Sequence, residues 1–540
     1  MAQIPKGYQR LEKSERRPRS GAHRVAAADP KETLSVTIRV RRRQDAPPLP
    51  DPTKALAERK VLSHEEFAAH YGAAKADIDK VIAFAKEQGL TLVAASVPRR
   101  TVMVSGTVAQ MNHAFGVELA TYESPTETYR GREDSVNLPS NLVGIVEGVF
   151  GLDNRRMARR AAARHLPTPS EKAKTLTPQQ VATLYNFPAP FEATGQTIGL
   201  LEFGGGYNIG DIQAFFKKLK LTTPALTPVG VDGATNSPAS DPDSDIEVAL
   251  DIDVSGAVAQ GARIAVYFAP WTEQGWVDVV TTAVHPAAGQ PTPSVISISW
   301  DWPELETIQG LSWTQAAIDA VSATFQEAAS LGITIFVASG DHGSSCGLID
   351  KKAHVGYPGS DPWITSCGGT ILKDVSHSSF TQDTWQDNNG WATGGGISDV
   401  FKDVPQWQAN ANLPVSVNDG HKGRGIPDVA GNADNASGYD LGTVAGQPAG
   451  AVGGTSAVGP LYAGLVALLN AKLGAPAGYL NPVLYANPDI CRDVNDGVSN
   501  ATGDAPGYKS GPGWDACTGW GSIDGSKLLA ALQGAGTKNS

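Results

Sequence analysis

The stretch "ITIFVASGD", Ile333 to Asp341, decides the architecture. It opens as an unbroken apolar run and stops on Ser-Gly-Asp. A strand apolar on both faces belongs inside a parallel sheet covered by helices, because a sheet with one wet face alternates instead. The same form recurs upstream in "TIGLLEF" (Thr197–Phe203), "RIAVYFAP" (Arg263–Pro270) and "SVISISW" (Ser294–Trp300), with helical stretches such as "WTQAAIDAVSATFQEAASLG" (Trp313–Gly332) intervening. The alternation predicts an α/β fold, a doubly wound parallel sheet over residues 178–535. Ligands of such sheets sit at the carboxyl ends of the strands, so the polar residues that follow the runs deserve scrutiny.

At 540 residues the chain is too long for one ordinary domain. Upstream, "LSVTIRVRRR" (Leu34–Arg43) alternates as a strand does, and "DIDKVIAFAKEQGL" (Asp77–Leu90) has helical spacing closed by Gly89. "TVMVSGTVAQMNHAFGVELATYES" (Thr101–Ser124) reads strand, helix, strand. Residues 35–153 are therefore expected to form a smaller α+β domain of ferredoxin-like type. Residues 1–34 read as a disordered basic tail. Residues 154–177 carry Arg155, Arg156, Arg159, Arg160 and Arg164, then Pro and Ser/Thr without apolar period, and read as a cleavable linker.

The net charge of −11 hides an asymmetry: residues 1–165 hold 27 basic and 19 acidic side chains, the remainder 17 and 36. A basic front and an acidic back predict that the two parts pair with each other, with no nucleic-acid partner. No run of eighteen apolar residues and no signal-peptide core is visible, so neither a membrane span nor a standard export signal is expected. Four cysteines (Cys346, Cys367, Cys491, Cys517) show neither a CxxC pair nor zinc-ligand spacing, which leaves disulfides and buried thiols both open.

Three segments carry residues suited to chemistry. In "AVGGTSAVGPLYAGLVALLN" (Ala451–Asn470), Ser456 stands between Gly-Thr and an apolar helix with Pro460 in its first turn, where an Oγ would meet the field of a helix N-terminus. In "SDIEVALDIDVSGAVAQGA" (Ser244–Ala262), Glu247 and Asp251 fall four apart on one helix face beside the apolar stripe Ile246, Leu250 and Val254. Two such carboxyls tend to share a proton and separate their pKa values. Asp341 ends its strand where a protonated carboxylic acid could donate to an oxyanion. His342 is the one histidine beside this machinery and lacks an obvious aspartate partner. A carboxylate serves a serine as general base when the working pH is near 4 to 5, where histidine would be protonated, which favours Glu247.

These segments resemble the sedolisins, the serine-carboxyl peptidases. The motifs carrying the resemblance include "EVALDIDVSGAVAQGARIAVYFAP", "SISW", "ASGDHG", "GGTSAVGPLYAGLVALLNAKLG" and "NPVLY", with "HEEFAAHYGA", "MNHAFGVEL" and "GVFGLD" in the front domain. The resemblance implies a subtilisin-like catalytic domain with Ser456 as nucleophile, Glu247 as general base, Asp251 hydrogen-bonded to it and Asp341 at the oxyanion. It also implies Glu202 and Trp300 as residues relaying hydrogen bonds to Glu247. "CRDVNDG" and "SGPGWDACTGWGS" resemble the family's calcium loop, implying one Ca2+ held by the carboxylates of Asp493 and Asp515 and the carbonyls of Val494, Gly511 and Gly513. The front domain is then an inhibitory propeptide domain released in acid, and the protein a secreted, monomeric endopeptidase acting on proteins. Rival readings are a Ser-His-Asp enzyme and a peptide-binding protein without catalysis. Gly356 in "HVGYP" stands where a family member carries an acid favouring basic P1 residues, so that preference does not carry over.

Overall fold

A computed structural model describes residues 4–534 apart from 55, 161–162, 165–174, 308–309, 377 and 388–389. Part of the linker expectation, 165–174, thus lies outside the described residues.

In the front domain, β1 (Thr33–Val40), α1 (Lys75–Glu87), β2 (Thr91–Ser96), β3 (Thr101–Thr107), α2 (Val108–Phe115) and β4 (Val146–Phe150) follow in order. The strands pair antiparallel throughout as β2-β3-β1-β4, the ferredoxin-like arrangement. Period-two alternation gives β1 two buried faces with different partners. Val36, Ile38 and Val40 join Ile78, Val81, Met111 and Phe115 in one apolar core. Thr37 and Arg39 point the other way and reach Asp278, Thr281 and Thr324 of the second domain.

The tail departs from the expected disorder. Tyr8–Arg10 pairs antiparallel with Asn137–Pro139, and His23–Ala27 with Ala120–Glu123. Neither strand has an apolar period; both are ordered by backbone partners more than ninety residues away, a signal that local reading does not contain.

In the second domain, β5 (Thr197–Glu202), β6 (Ala225–Gly230), α3 (Pro242–Val258), β7 (Arg263–Phe268), α4 (Glu273–Val284), β8 (Val295–Ile298), β9 (Trp300–Pro303), α5 (Gln315–Ser330), β10 (Thr334–Ala338), β11 (Thr365–Lys373), β12 (Val429–Asn432), β13 (Ala451–Gly453), α6 (Val458–Leu473), β14 (Cys491–Arg492) and β15 (Ser522–Ile523) carry the argument. The main sheet runs β6-β7-β5-β8-β10-β11-β12-β15-β14. It is parallel from β6 to β15; β14 and the strand Thr381–Thr384 add antiparallel pairs. Ile198 and Leu200 of β5 pack with α3 and α6, while Leu201 packs with α4 and α5 on the other face. The order reverses between β5 and β8, which opens a crevice at their carboxyl ends.

Residues 455–473, the α6 region, are long and apolar enough to cross a membrane by composition, yet 83% of that window is buried in the domain. Helix α6 is thus a core element. The four cysteines are all free and buried.

The two domains share a continuous core, since Leu62, Phe67, Tyr71, Phe150 and Met157 pack into the cluster under α4 and α5. At its centre the buried Glu327 of α5 meets Arg42 Nη2 at 2.9 Å, Arg100 Nη2 at 3.2 Å and Arg39 Nη2 at 3.9 Å, all from the front domain, while His285 Nε2 lies 2.8 Å away. Around it, Lys13–Asp319, Arg16–Glu273 and Arg19–Glu306 add front-to-back ion pairs. The charge asymmetry therefore has a physical location. Removing the acceptor leaves buried guanidinium groups unpaired. Glu327→Gln in the full-length Ser456→Ala chain is expected to cost about 3 to 5 kcal/mol, read from urea unfolding at pH 7. A loss below about 1 kcal/mol would show that the arginines are otherwise satisfied.

Candidate active site

The crevice at β5/β8 gathers every catalytic candidate. Glu202 ends β5, Ser299 and Trp300 follow β8, and Asp341 follows β10. Glu247 and Asp251 come from α3, which starts on an Asp241 cap with Pro242 in its first turn. Ser456 sits in the one-turn helix Thr455–Ala457 leading into α6. That turn begins at Gly454, whose φ of +98° lies in the region side chains avoid.

All six of these side chains, with Ser299, are buried. Residues 244–258 of α3 are buried without interruption, so the helix has no wet face and its acids lie deeper than the margin of an apolar stripe. Asp245 is satisfied by the Gly206 and Ala239 N–H groups, both at 2.7 Å. Trp300 Nε1 donates to Glu202 Oε2 at 2.9 Å, and Ser299 Oγ lies 2.9 Å from both Asp251 oxygens. Asp251 also shares a hydrogen bond with Glu202, which needs a proton on one of the two carboxyls. The described hydrogen bonds of Asp251 thus go to Ser299 and Glu202, while Glu247 feels Asp251 through charge. The Ser456 hydroxyl favours the Glu247 carboxylate, although its oriented contact is with the Ser299 carbonyl at 3.4 Å.

Asp341 Oδ1 accepts from the Thr455 N–H at 2.8 Å and from Thr455 Oγ1 at 2.6 Å. Its Oδ2 is buried and has no hydrogen-bond partner among the described residues. Such an atom is free to meet a ligand. His342 packs on Trp391 with ring centroids 5.0 Å apart, and no described hydrogen bond joins it to Ser456.

The linker crosses this site. Arg159–Arg160 pairs antiparallel with Asp301 and Trp300, and Ala163–Arg164 with Gly453 and Val452. The segment read from sequence as a cleavable linker holds, in its described part, two short strands, one on each rim of the crevice.

Comparisons with known proteins place the chain in a family. Residues 20–155 match the family "Pro-kumamolisin, activation domain" and residues 233–483 the "Subtilase family". Kumamolisin from Bacillus sp. (strain MN-32) is 42% identical over 522 residues, covering 92% of this chain and 91% of its own. The chain belongs to the sedolisin family of serine-carboxyl peptidases. Tripeptidyl-peptidase sed5 of Aspergillus fumigatus is 32% identical, with 95% of each chain covered. The solved structure of Pseudomonas sedolisin, a serine-carboxyl proteinase bound to two pseudo-iodotyrostatin molecules, superposes with a TM-score of 0.58 at 28% identity, covering 68% of this chain and all of that one. The front domain is accordingly this sedolisin's activation domain.

Burial governs the electrostatics of the sedolisin site. It raises the Glu202, Glu247 and Asp251 carboxyls well above their ordinary values, and each is raised further by a neighbour in the trio. Burial pushes Asp341 up to about 8, against the opposing pull of the Thr455 donors. His342 goes the other way, down to about 4, through burial and the nearby Arg159. Sequence reading missed Ser299 and Thr455, whose only signal was adjacency to Trp300 and Ser456, and it missed Asp301.

The C-terminal loop brings the two expected aspartates to one turn. Asp515 Oδ2 accepts from the Gly511 N–H at 3.1 Å and Asp493 Oδ2 from the Gly513 N–H at 3.0 Å. No described hydrogen bond reaches the main-chain oxygens of Val494, Gly511 or Gly513. Carboxylate and carbonyl oxygens are the donor types a hard cation takes, though no cluster of three or more His, Cys, Asp or Glu side chains that could hold a metal is found among the described residues.

A raised carboxyl binds more protons folded than unfolded, so stability declines as pH climbs from the ordinary value near ~4 towards the folded one, about 8 for Asp341. His285 and His342, both lowered by burial, oppose this, but they are two groups against several acids. The Ser456→Ala chain is therefore expected to melt at lower temperature at pH 8 than at pH 5. A melting temperature that climbs steadily over that range would contradict the assigned protonation.

Proposed function

We propose that this sedolisin is an acid-acting endopeptidase with a Ser456-Glu247-Asp251 triad and Asp341 at the oxyanion, made as a zymogen that cuts its own linker. The observation that supports it is the unpartnered, buried Asp341 Oδ2 beside Ser456, on a carboxyl that keeps its proton up to about pH 8.

In this reading, Glu247 takes the Ser456 proton as Oγ attacks the peptide carbonyl. Asp341 Oδ2–H donates to the oxyanion that forms, a role a charged carboxylate would oppose. Glu247 then passes its proton to the departing amine, leaving an acyl-enzyme on Ser456. Water loses a proton to Glu247, attacks the ester and frees the serine. Three carboxyls in a dry site hold one charge more readily than three, so protons kept on Glu202 and Asp251 leave Glu247 as the acceptor. Ser299 and Trp300 hold those two carboxyls in place.

Asp493, Asp515 and the carbonyls of Val494, Gly511 and Gly513 would hold a structural Ca2+ and tie the chain end to the sheet; Asp515 is itself pushed up to about 6 by burial, so acid weakens the site. Chelation at pH 7 is expected to lower the melting temperature, and Asp493→Ala to remove that sensitivity. The enzyme is read as a secreted monomer, with the activation domain as its intramolecular inhibitor.

The deciding experiment shifts the full-length chain and its Ser456→Ala twin to about pH 4 and follows mass and new N-termini. Cleavage between residues 155 and 178 in the wild type alone is expected, and Glu247→Ala should behave as Ser456→Ala does. Processing at an undiminished rate in either variant would remove the mechanism.

A further inference from the structure

The strand added by the linker carries the partly exposed Arg159 side chain onto the buried Asp301 of β9. Arg159 Nε donates to Asp301 Oδ1 at 2.7 Å and Nη2 to Oδ2 at 2.9 Å, while Nη1 donates to the Cys346 carbonyl at 2.7 Å. Nη2 also lies 3.0 Å from Cys346 Sγ, a thiol that burial pushes up to about 12 and so keeps neutral. Asp301 is 1% exposed. Four donor contacts in a planar fork match a guanidinium and not the single point charge of a lysine.

The walls are made to fit this pair. A Cβ on Gly356 would stand 2.4 Å from Asp301 Oδ2, one on Gly340 3.2 Å from the same atom, and one on Gly347 2.7 Å from Arg159 Nη1. Gly356 thus makes room for a carboxylate that reaches the pocket from β9. The glycine that stands where a family member carries an acid thus accommodates Asp301 on the neighbouring strand.

Position along the strand sets the role. Arg159 pairs with Asp301 on the β9 rim, and Ala163 pairs with Gly453, three residues before Ser456, on the β13 rim. Arg159 therefore lies amino-terminal to the residue that pairs beside Ser456. An extended substrate adding itself to the same rims would place an arginine in the same pocket. Resting on the peptidase reading above, we propose that Asp301 is a specificity-determining residue that selects arginine upstream of the cleaved bond, and that Arg159 occupies its subsite in the zymogen.

The test uses acid-processed enzyme and a peptide of residues 155–166, with Arg159 replaced by Lys, citrulline or Ala and, as a control, Arg160→Ala. In the wild type, each Arg159 replacement is expected to lower kcat/KM at least about tenfold, mainly through KM, because a buried charge partner is lost. In Asp301→Asn the ratio between Arg and Ala peptides should collapse towards one, and Asp301→Glu should restore part of it. A ratio unchanged in Asp301→Asn, or a wild type indifferent to Arg159, overturns the proposal. A wild type that cuts no peptide defeats the peptidase reading instead. The pocket is then still read by trypsin digestion of the full-length Ser456→Ala chain, where Asp301→Asn should speed cleavage after Arg159 at least several-fold; equal rates overturn it.

Discussion

Dry burial of carboxyl groups is the constraint on which the rest of the structure depends. Glu202, Glu247 and Asp251 share one unhydrated pocket at the sheet's switch point, and three charges cannot coexist there. Protons must stay on the cluster, and the surrounding donors decide where. Ser299 and Trp300 supply hydrogen bonds to Asp251 and Glu202, leaving Glu247 beside Ser456 as the carboxyl with its oxygens uncommitted. Asp341 is under the same pressure on the opposite side of Ser456 and resolves it by keeping its proton. A histidine in such a place would be pushed towards its neutral form, as His342 is, but in acid it would still compete poorly with a carboxylate as base.

The chemistry of this chain was legible in its sequence to the extent that backbone periodicity carries it. Glu247 and Asp251 four apart, Asp341 at a strand end and Ser456 at a helix mouth each follow from local pattern, and the fold brings all of them together. The fully buried α3 was not legible, because acids such as Asp245 normally mark a wet face; here the Gly206 amide, 39 residues away, and the Ala239 amide, in the loop just before the helix, satisfy it. The tail strands failed for a similar reason, since a strand ordered by a remote partner needs no apolar period of its own. Asp301 had no visible role until Arg159 was seen lying against it.

Linker and activation domain hold the catalytic domain by different means. The linker uses backbone pairing plus one buried ion pair, and it occupies the crevice directly. The activation domain uses a merged apolar core and the arginines around Glu327. Both add their contacts to surfaces the catalytic domain already presents, Trp300–Asp301 and Val452–Gly453 in one case and α4 and α5 in the other.

This division bears on how acid would act. Acid is expected from the charge asymmetry to loosen the domain pairing by protonating carboxylates of the catalytic domain. The arginines hold Glu327 well below the ordinary carboxylate range despite its burial, so at about pH 4 this central contact keeps its charge. Lys13–Asp319, with both side chains partly exposed, has no such protection and contributes little at any pH. Burial raises Glu304 and Asp361 to about 7 and Asp515 to about 6, so these catalytic-domain carboxyls take up protons between neutral pH and that point. Acid down to about pH 4 therefore leaves the central contact charged, and in the proposed zymogen the linker would be cut while the activation domain is still docked. Separation then follows from losing the covalent tether, which turns an intramolecular contact into one that dilution can dissociate.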